Sequence, residues 1–526
     1  MSAPSTMITT AGPIKRLPRE VMTKICEALC PHCAGEDVLY MTPHASFAGR
    51  RGLVNLCLTS KLWRAVAFRV LHHIFQSNVG CLPRFVEHLA ANPYLALDVR
   101  AIQLHRAEYD APVVYPQSMM AVLRAIMGSN RSFNMLRSDF VALPAVADSL
   151  LTPDNHALVR MSAVVLFFLA KRVEQVAIFH DWPLWAFAQF AAAPDNIDAR
   201  VSSAKRLLSL NKLAYEHHAA SPSFGGTHVA PANLAYLSTV FTLAPNMAHL
   251  HTTRAANGHL AQPLGNIDLH LGKLTTLSLT DAAMDDRDLL QVLRSATPGV
   301  LSKFKYTAGF VQAFMPGSRV AAHLATTGHA AHLTHLTLLT SDNAEYRGAM
   351  GAWRDYRRGH APSPTIHALA GTFPALSHLT ISAENVWYPT FSPGFMNSDH
   401  KGGPDRLLQF LPRGIKFVRL VDVHAAPAAE LKTLASSSGQ NGGTVLPRLR
   451  RVELVADPRV AGLSFMAPGE PYDYTYGEEA GVEEVGEDEE AEAQKEAERA
   501  RVAIEAGFRA RGIGYDFDAP YLYWGE

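Results

Sequence analysis

Apolar residues recur along this chain with two different periods. In "LPREVMTKICEAL", Val21, Met22, Ile25, Cys26 and Leu29 fall at i, i+1, i+4, i+5 and i+8, with Pro18 suited to a first helical turn. That spacing predicts an amphipathic helix with one apolar stripe. After a polar, Gly-containing stretch to about residue 51, "GLVNLCLTSKLWRAVAFRVLHHIF" repeats the helical pattern through Leu53, Leu56, Cys57, Trp63, Ala67, Val70, Leu71 and Ile74. A second, longer helix, or two in succession, is expected there. A unit of about 60 residues built from short helices buries too little apolar surface alone, so part of it should pack on a partner or on the next domain.

Farther along, the pattern changes to apolar-x-x-apolar-x-apolar. It recurs in "VRAIQL", "VEQVAI", "MAHLHT", "LTTLSL", "LSKFKY", "LTHLTL", "LSHLTI", "IKFVRL" and "LRRVEL". Two wide gaps near the start leave room for helices or further copies. Helix-like runs such as "DRDLLQVLRSA", "SRVAAHLATTG" and "PDRLLQFLP" lie between copies. Alternating strand and helix predict an α/β fold with parallel strands, each unit stacking its apolar side chains on the next.

Strand alternation then assigns two ladders of residues to the face opposite the core. One runs Ala101, Gln175, His249, Thr276, Lys303, His335, His378, Phe417, Arg451; the other runs Gln103, Ala177, His251, Ser278, Lys305, Thr337, Thr380, Arg419, Glu453. Basic or titratable groups dominate from His249 onward. The set His249, His251, Lys303, Lys305, His335, His378, Arg419 and Arg451 could hold an acidic or phosphorylated segment, binding that would strengthen below about pH 6.5. The plain alternative is a solvated face that must be polar whatever its function.

Composition narrows the function classes. Lys+Arg and Asp+Glu both number 48, so no bulk charge points to nucleic acid. The opening residues lack the apolar core of a secretory signal, and no apolar run reaches the roughly 18 residues of a membrane helix. A soluble protein of the cytoplasm or nucleus, with no membrane partner, is expected. An acidic block from Glu478 to Glu490 marks residues 466–526 as an acidic, largely disordered tail carrying a short helix near Glu489 to Arg509. That block could cover the basic face or serve as a solubilising linker.

The segment Leu17-Pro18-x-Glu20-Val21, followed by Ile25 and Leu29 and then by Leu56-Cys57-Leu58-x-Ser60-Lys61-x-Trp63-Arg64, resembles an F-box. The strand units resemble the irregular leucine-rich repeats that follow the F-box in many members of that family. The resemblance implies residues 1–13 as a disordered N-terminus, 14–78 as an F-box-like helical module and 79–465 as a leucine-rich-repeat-like array. It also implies a non-enzymatic receptor that binds the Skp adaptor of a cullin-type ubiquitin ligase and selects a target protein through its repeats. Leu17, Pro18, Val21, Ile25, Leu56, Trp63 and Arg64 are the implied adaptor contacts. A repeat scaffold without ligase recruitment is the alternative reading. One departure is the segment between Leu29 and Leu53, longer than the family's usual connection.

Candidate chemistry is sparse. The sequence contains no G-x-S-x-G, Walker loop, H-E-x-x-H or dinucleotide fingerprint, and neither enzymatic activity nor a cofactor is expected. All five cysteines, 26, 30, 33, 57 and 81, lie near the start. Cys30-Pro31-His32-Cys33 raises a remote redox or zinc alternative. It sits at a helix C-terminus, where the dipole disfavours a thiolate. Zinc would draw on Cys30, Cys33, His44 and Cys26, but there is no second C-x-x-C and no metal is expected. The pair His249 and His251 lacks a nearby carboxylate or cysteine and is not expected to hold one either.

Overall fold

The computed structural model describes residues 17–35, 43–78, 81–105, 169–178, 207–216, 237–253, 269–282, 284–308, 317–339, 369–382, 405–423, 428–438, 445–456 and 487–518, with residues 162, 166, 167, 234, 315 and 386. The chain divides into two compact units, residues 1–224 with 236–248, and residues 225–235 with 249–526. Both are α/β, and every described pair of neighbouring strands in either unit is parallel.

The first unit opens with three helices. Helix α1 spans Arg19–Ala28, α2 spans Pro43–Thr59 and α3 spans Lys61–Leu71. The break between α2 and α3 is chemical: Ser60 is extended, and its hydroxyl accepts the Trp63 amide at 3.2 Å, capping a new helix. Helix α2 begins earlier than the polar stretch to residue 51 suggested, absorbing "PHASFAGR". Met22, Cys26, Cys30, Leu53, Trp63, Val66, Ala67 and Val70 form the core among these helices.

Helix α3 hands over directly to the first strand. Strand β1, Ile74–Asn78, occupies the end of a segment expected to be helical. It pairs with β2, Ala101–His105, which pairs with β3, Gln175–Ile178, and then β4, Lys212–Glu216. Helices α4 (Leu82–Ala91) and α5 (Pro93–Ala96) fill the first crossover, and α6 (Leu237–Leu243) follows β4. Arg69 of α3 makes a bidentate bond to the buried Asp98 just before β2, at 2.8 and 2.6 Å. This ion pair joins the helical module to the segment that leads into β2.

The second unit runs eight strands in chain order: β5 His249–Thr253, β6 Thr276–Ala282, β7 Lys303–Ala308, β8 His335–Leu339, β9 His378–Ser382, β10 Phe417–Val423, β11 Arg451–Ala456 and β12 Gly514–Asp518. Helices α7 (Asp286–Ser295), α8 (Gly317–Thr326), α9 (Arg406–Phe410), α10 (Ala428–Ser437) and α11 (Glu487–Ala510) lie between them in sequence. Asp285 caps α7 through the Asp288 amide at 2.7 Å. Gly328, at φ +78°, closes α8 in the left-handed conformation that favours glycine.

Cross-strand register forms two apolar stacks. Leu250, Leu277, Phe304, Leu336, Leu379, Val418 and Val452 face one another along the first, and all are buried. Leu279, Tyr306, Leu338, Ile381, Leu420 and Leu454 form the second, with Thr252 as the polar member at its start. Each such apolar side chain contributes about 1.5–3 kcal/mol by leaving water. The nine apolar hexamers thus correspond to β2, β3 and β5 through β11.

Residues 487–518, assigned to the tail by sequence, carry the 24-residue helix α11 and the strand β12, which pairs with β11. Residues 1–13 and the acidic block up to residue 486 lie outside the described residues. Among the described residues, no helix is long and apolar enough to cross a membrane.

Leu379→Ala opens a void in the middle of a stack, whereas Thr380→Ala alters the opposite face. The first should lower stability by about 2–5 kcal/mol and the second by less than about 0.5 kcal/mol, read from hydrogen-exchange protection of β8 to β10. Equal effects would contradict the assigned faces.

Candidate functional site

Three features collect the residues singled out by sequence: the outer face of the helical module, a cysteine and histidine cluster at the turn after α1, and the polar face of the second unit.

On the module, Val21 and Ile25 of α1 are 42% and 39% exposed, while Met22 and Cys26, one position on, are fully buried. The helix therefore carries two apolar stripes and buries only one of them within the module. Pro18 and Arg64 are exposed, and Leu17 and Leu56 are half-buried against the core. Trp63 is turned inward and only 7% exposed. It belongs to the buried cluster among the three helices, which differs from the exposed position a contact was expected to have. Sequence reasoning passed over Val54, Leu58 and Leu62, which are 40%, 80% and 46% exposed. Val54 and Leu58 are an i, i+4 pair on α2, and that spacing was a readable signal.

At the turn after α1, Cys30, His32, Cys33 and His73 place one ligand-type atom each within 4.8 Å of one another. Cys33 Sγ lies 3.1 Å from His73 Nδ1 and 3.8 Å from His32 Nδ1. The turn after α1 brings the two cysteines together: the Ala34 amide donates to the Cys30 carbonyl at 2.9 Å, and Gly35, at φ +80°, completes the bend. His73 arrives from the junction of α3 and β1, where its carbonyl accepts the Arg100 and Ala101 amides at 2.8 Å. The other side of the His32 ring faces a carboxylate, with Nε2 3.3 Å from Glu174 Oε2. Glu174 is itself paired with Arg100 at 3.3 Å.

The two thiols diverge in acidity. A hydrogen bond from Cys33 holds the Cys30 thiol well below its ordinary range, against the opposing effect of burial and with help from His73. This local bond outweighs the helix C-terminus, which by itself would raise Cys30. Cys33 is pushed up, first by committing its proton to Cys30 and then by burial. Cys26, a ligand in the sequence-based zinc set, instead lies in the core, where burial raises its thiol to about 11. His44 lies in α2, and its side chain is outside the described residues.

The polar ladders are reproduced by register. His249, Thr276, Lys303, His335, His378, Phe417 and Arg451 face one another across β5 to β11, as do His251, Ser278, Lys305, Thr337, Thr380, Arg419 and Glu453. Two details differ from expectation. In the first unit the corresponding Ala101, Gln103, Gln175 and Ala177 are all buried. At the far end of the second unit the basic groups are partly neutralised: Arg451 pairs with Glu453 at 2.7 Å and with Asp516 of β12 at 2.6 Å, and Glu453 lies 3.7 Å from Arg419. The sequence pattern did not include β12 and so did not supply that carboxylate.

In the middle, His335 and His378 stack with ring centroids 4.2 Å apart and planes at 4°. Each Nδ1 lies 2.9 Å from the hydroxyl of the preceding residue, Thr334 or Ser377. Burial, then the charges of His378 and Lys303, lower His335 from 6.5 to about 4. His378 is lowered too, by burial first and then by Lys416 and Lys303. Both shifts favour the neutral imidazole, so proton-linked binding through this pair would set in at a lower pH than for ordinary histidines. His251 is drawn into bonds with Ser278 at 2.9 Å and Thr253 at 3.2 Å.

No family model and no curated protein matches this chain.

Selectively labelled histidine, with His335→Gln for assignment, should show His335 titrating near pH 4 by NMR. Because its folded pKa lies below the unfolded value of 6.5, its contribution to stability is complete above that value and falls as pH drops toward 4. A midpoint at 6.5 would contradict the stacked, partly buried geometry.

Proposed function

We propose that this chain is a non-enzymatic substrate-recognition subunit of a cullin-type ubiquitin ligase. Its α1–α3 module docks on a Skp-type adaptor, and its strand array, read as irregular leucine-rich repeats, holds a target protein. The observation that carries the reading is the unburied apolar set Val21, Ile25, Val54, Leu58 and Leu62 on a module that already has its own core. A second apolar stripe on α1 suits a partner helix surface, as the F-box resemblance implies.

Pro18, Val21 and Ile25 remain the leading contacts, joined by Leu58 and Leu62, with Arg64 at the rim. Leu17, Leu56 and Trp63 support them from within. For the target, the exposed Lys303 and the neighbouring Lys305, His335 and His378 form the centre of the face. Arg419 and Arg451 are partly committed to Glu453 and Asp516 and leave that end less basic.

The test is capture of a Skp-type adaptor by the purified full chain. Wild type should retain it. Val21→Asp/Ile25→Asp, which alters exposed positions, should weaken capture by more than about tenfold without loss of helical circular dichroism. Failure of the wild type to bind any Skp-type adaptor would overturn ligase recruitment and favour a plain binding scaffold.

A further inference from the structure

We propose that Cys30, His32, Cys33 and His73 form a structural Zn²⁺ site that ties the end of α1 to the junction of α3 and β1. Two thiolates and two imidazoles are a standard closed set for zinc, and softer sulfur ligands select against Mg²⁺ and Ca²⁺. With Zn–S near 2.3 Å and Zn–N near 2.0 Å, a tetrahedral site needs ligand atoms about 3.3–3.8 Å apart. The four atoms already lie within 4.8 Å of one another, and Cys33 meets His73 and His32 at 3.1 and 3.8 Å. Small side-chain adjustments complete the tetrahedron.

A second, independent observation is the environment of His32. Its Nδ1 faces Cys33 while Nε2 faces Glu174, 3.3 Å away. A carboxylate on the far nitrogen fixes the tautomer and leaves the near nitrogen as a lone-pair donor, the arrangement metal-bound histidines use. Glu174 is held in turn by Arg100. The ligands also come from separate parts of the chain, since Cys33 and His73 are 40 positions apart in sequence. Random proximity within one turn does not account for that convergence.

Four protein ligands leave no position for substrate, so the site is structural and not catalytic. Its effect is on the module: the metal would clamp α1, which carries Val21 and Ile25, to the segment leading into the first strand. The metal site stands on its own geometry, independent of what docks on that helix.

The experiment measures metal in the full chain, purified with a non-thiol reductant and no chelator. Elemental analysis should give one zinc per chain. Co²⁺ exchanged into wild type should show intense visible absorption and thiolate charge transfer of a tetrahedral sulfur and nitrogen site. His73→Ala and Cys33→Ser should lose zinc. Glu174→Gln, which keeps all four ligands, should weaken zinc affinity by about tenfold or more in competition with a chromophoric chelator. His44→Ala should retain zinc, and its loss there would overturn the assignment of His73. A wild-type chain without zinc and without a tetrahedral Co²⁺ spectrum would overturn the site, whether or not the variants fold. So would a His73→Ala chain that keeps zinc at unchanged affinity.

Discussion

The described strands bury apolar side chains beside those of their in-register neighbours, and that register governs the rest of the structure. Leu336 is buried because Phe304 and Leu379 lie beside it in register, and Leu379 because Leu336 and Val418 do. One slipped residue would turn the stack outward and bring Lys303, His335 and His378 inside. The same register that builds the core therefore builds the polar face, and neither can change alone.

The helical module obeys a different economy. Its core residues, Met22, Cys26, Leu53, Trp63 and Val66, satisfy three short helices, yet Val21, Ile25 and Leu58 remain in water. This exposed apolar set is what the proposed docking would cover. The module is also firmly attached to β1 and β2. Arg69 binds the buried Asp98, and the His73 carbonyl accepts two amides at the start of β2. A docked partner would thus be held at a set angle to the first strands.

Much of the fold was legible because periodicity two and periodicity 3.6 leave different marks. All nine hexamers became strands, and from His249 to Arg451 and from His251 to Glu453 the two ladders came out in the register read from sequence, whereas their first-unit members are buried and the ladders omitted β4. Strands β1, β4 and β12 escaped because their neighbours mask them. Ile74 and Phe75 continue a helical apolar pattern, "KLAYE" is short and mixed, and "GYDFD" follows a long charged helix. At Ser60 the sequence left one longer helix or two in succession open, and the resemblance implied Trp63 as a contact, where the structure buries it. The metal-type cluster was only half legible. Cys30, His32 and Cys33 are a local motif, whereas His73 joins them through the turn from α3 to β1, which no local spacing encodes.

The central claim is that the outer face of α1–α3 is a docking surface and the strand array a separate one. Hydrogen–deuterium exchange of the full chain with and without a Skp-type adaptor addresses it most directly. New protection over residues 18–28 and 54–64, with β6 to β11 unchanged, is the result this account predicts. Protection confined to the strands, or none anywhere on the module, would contradict it.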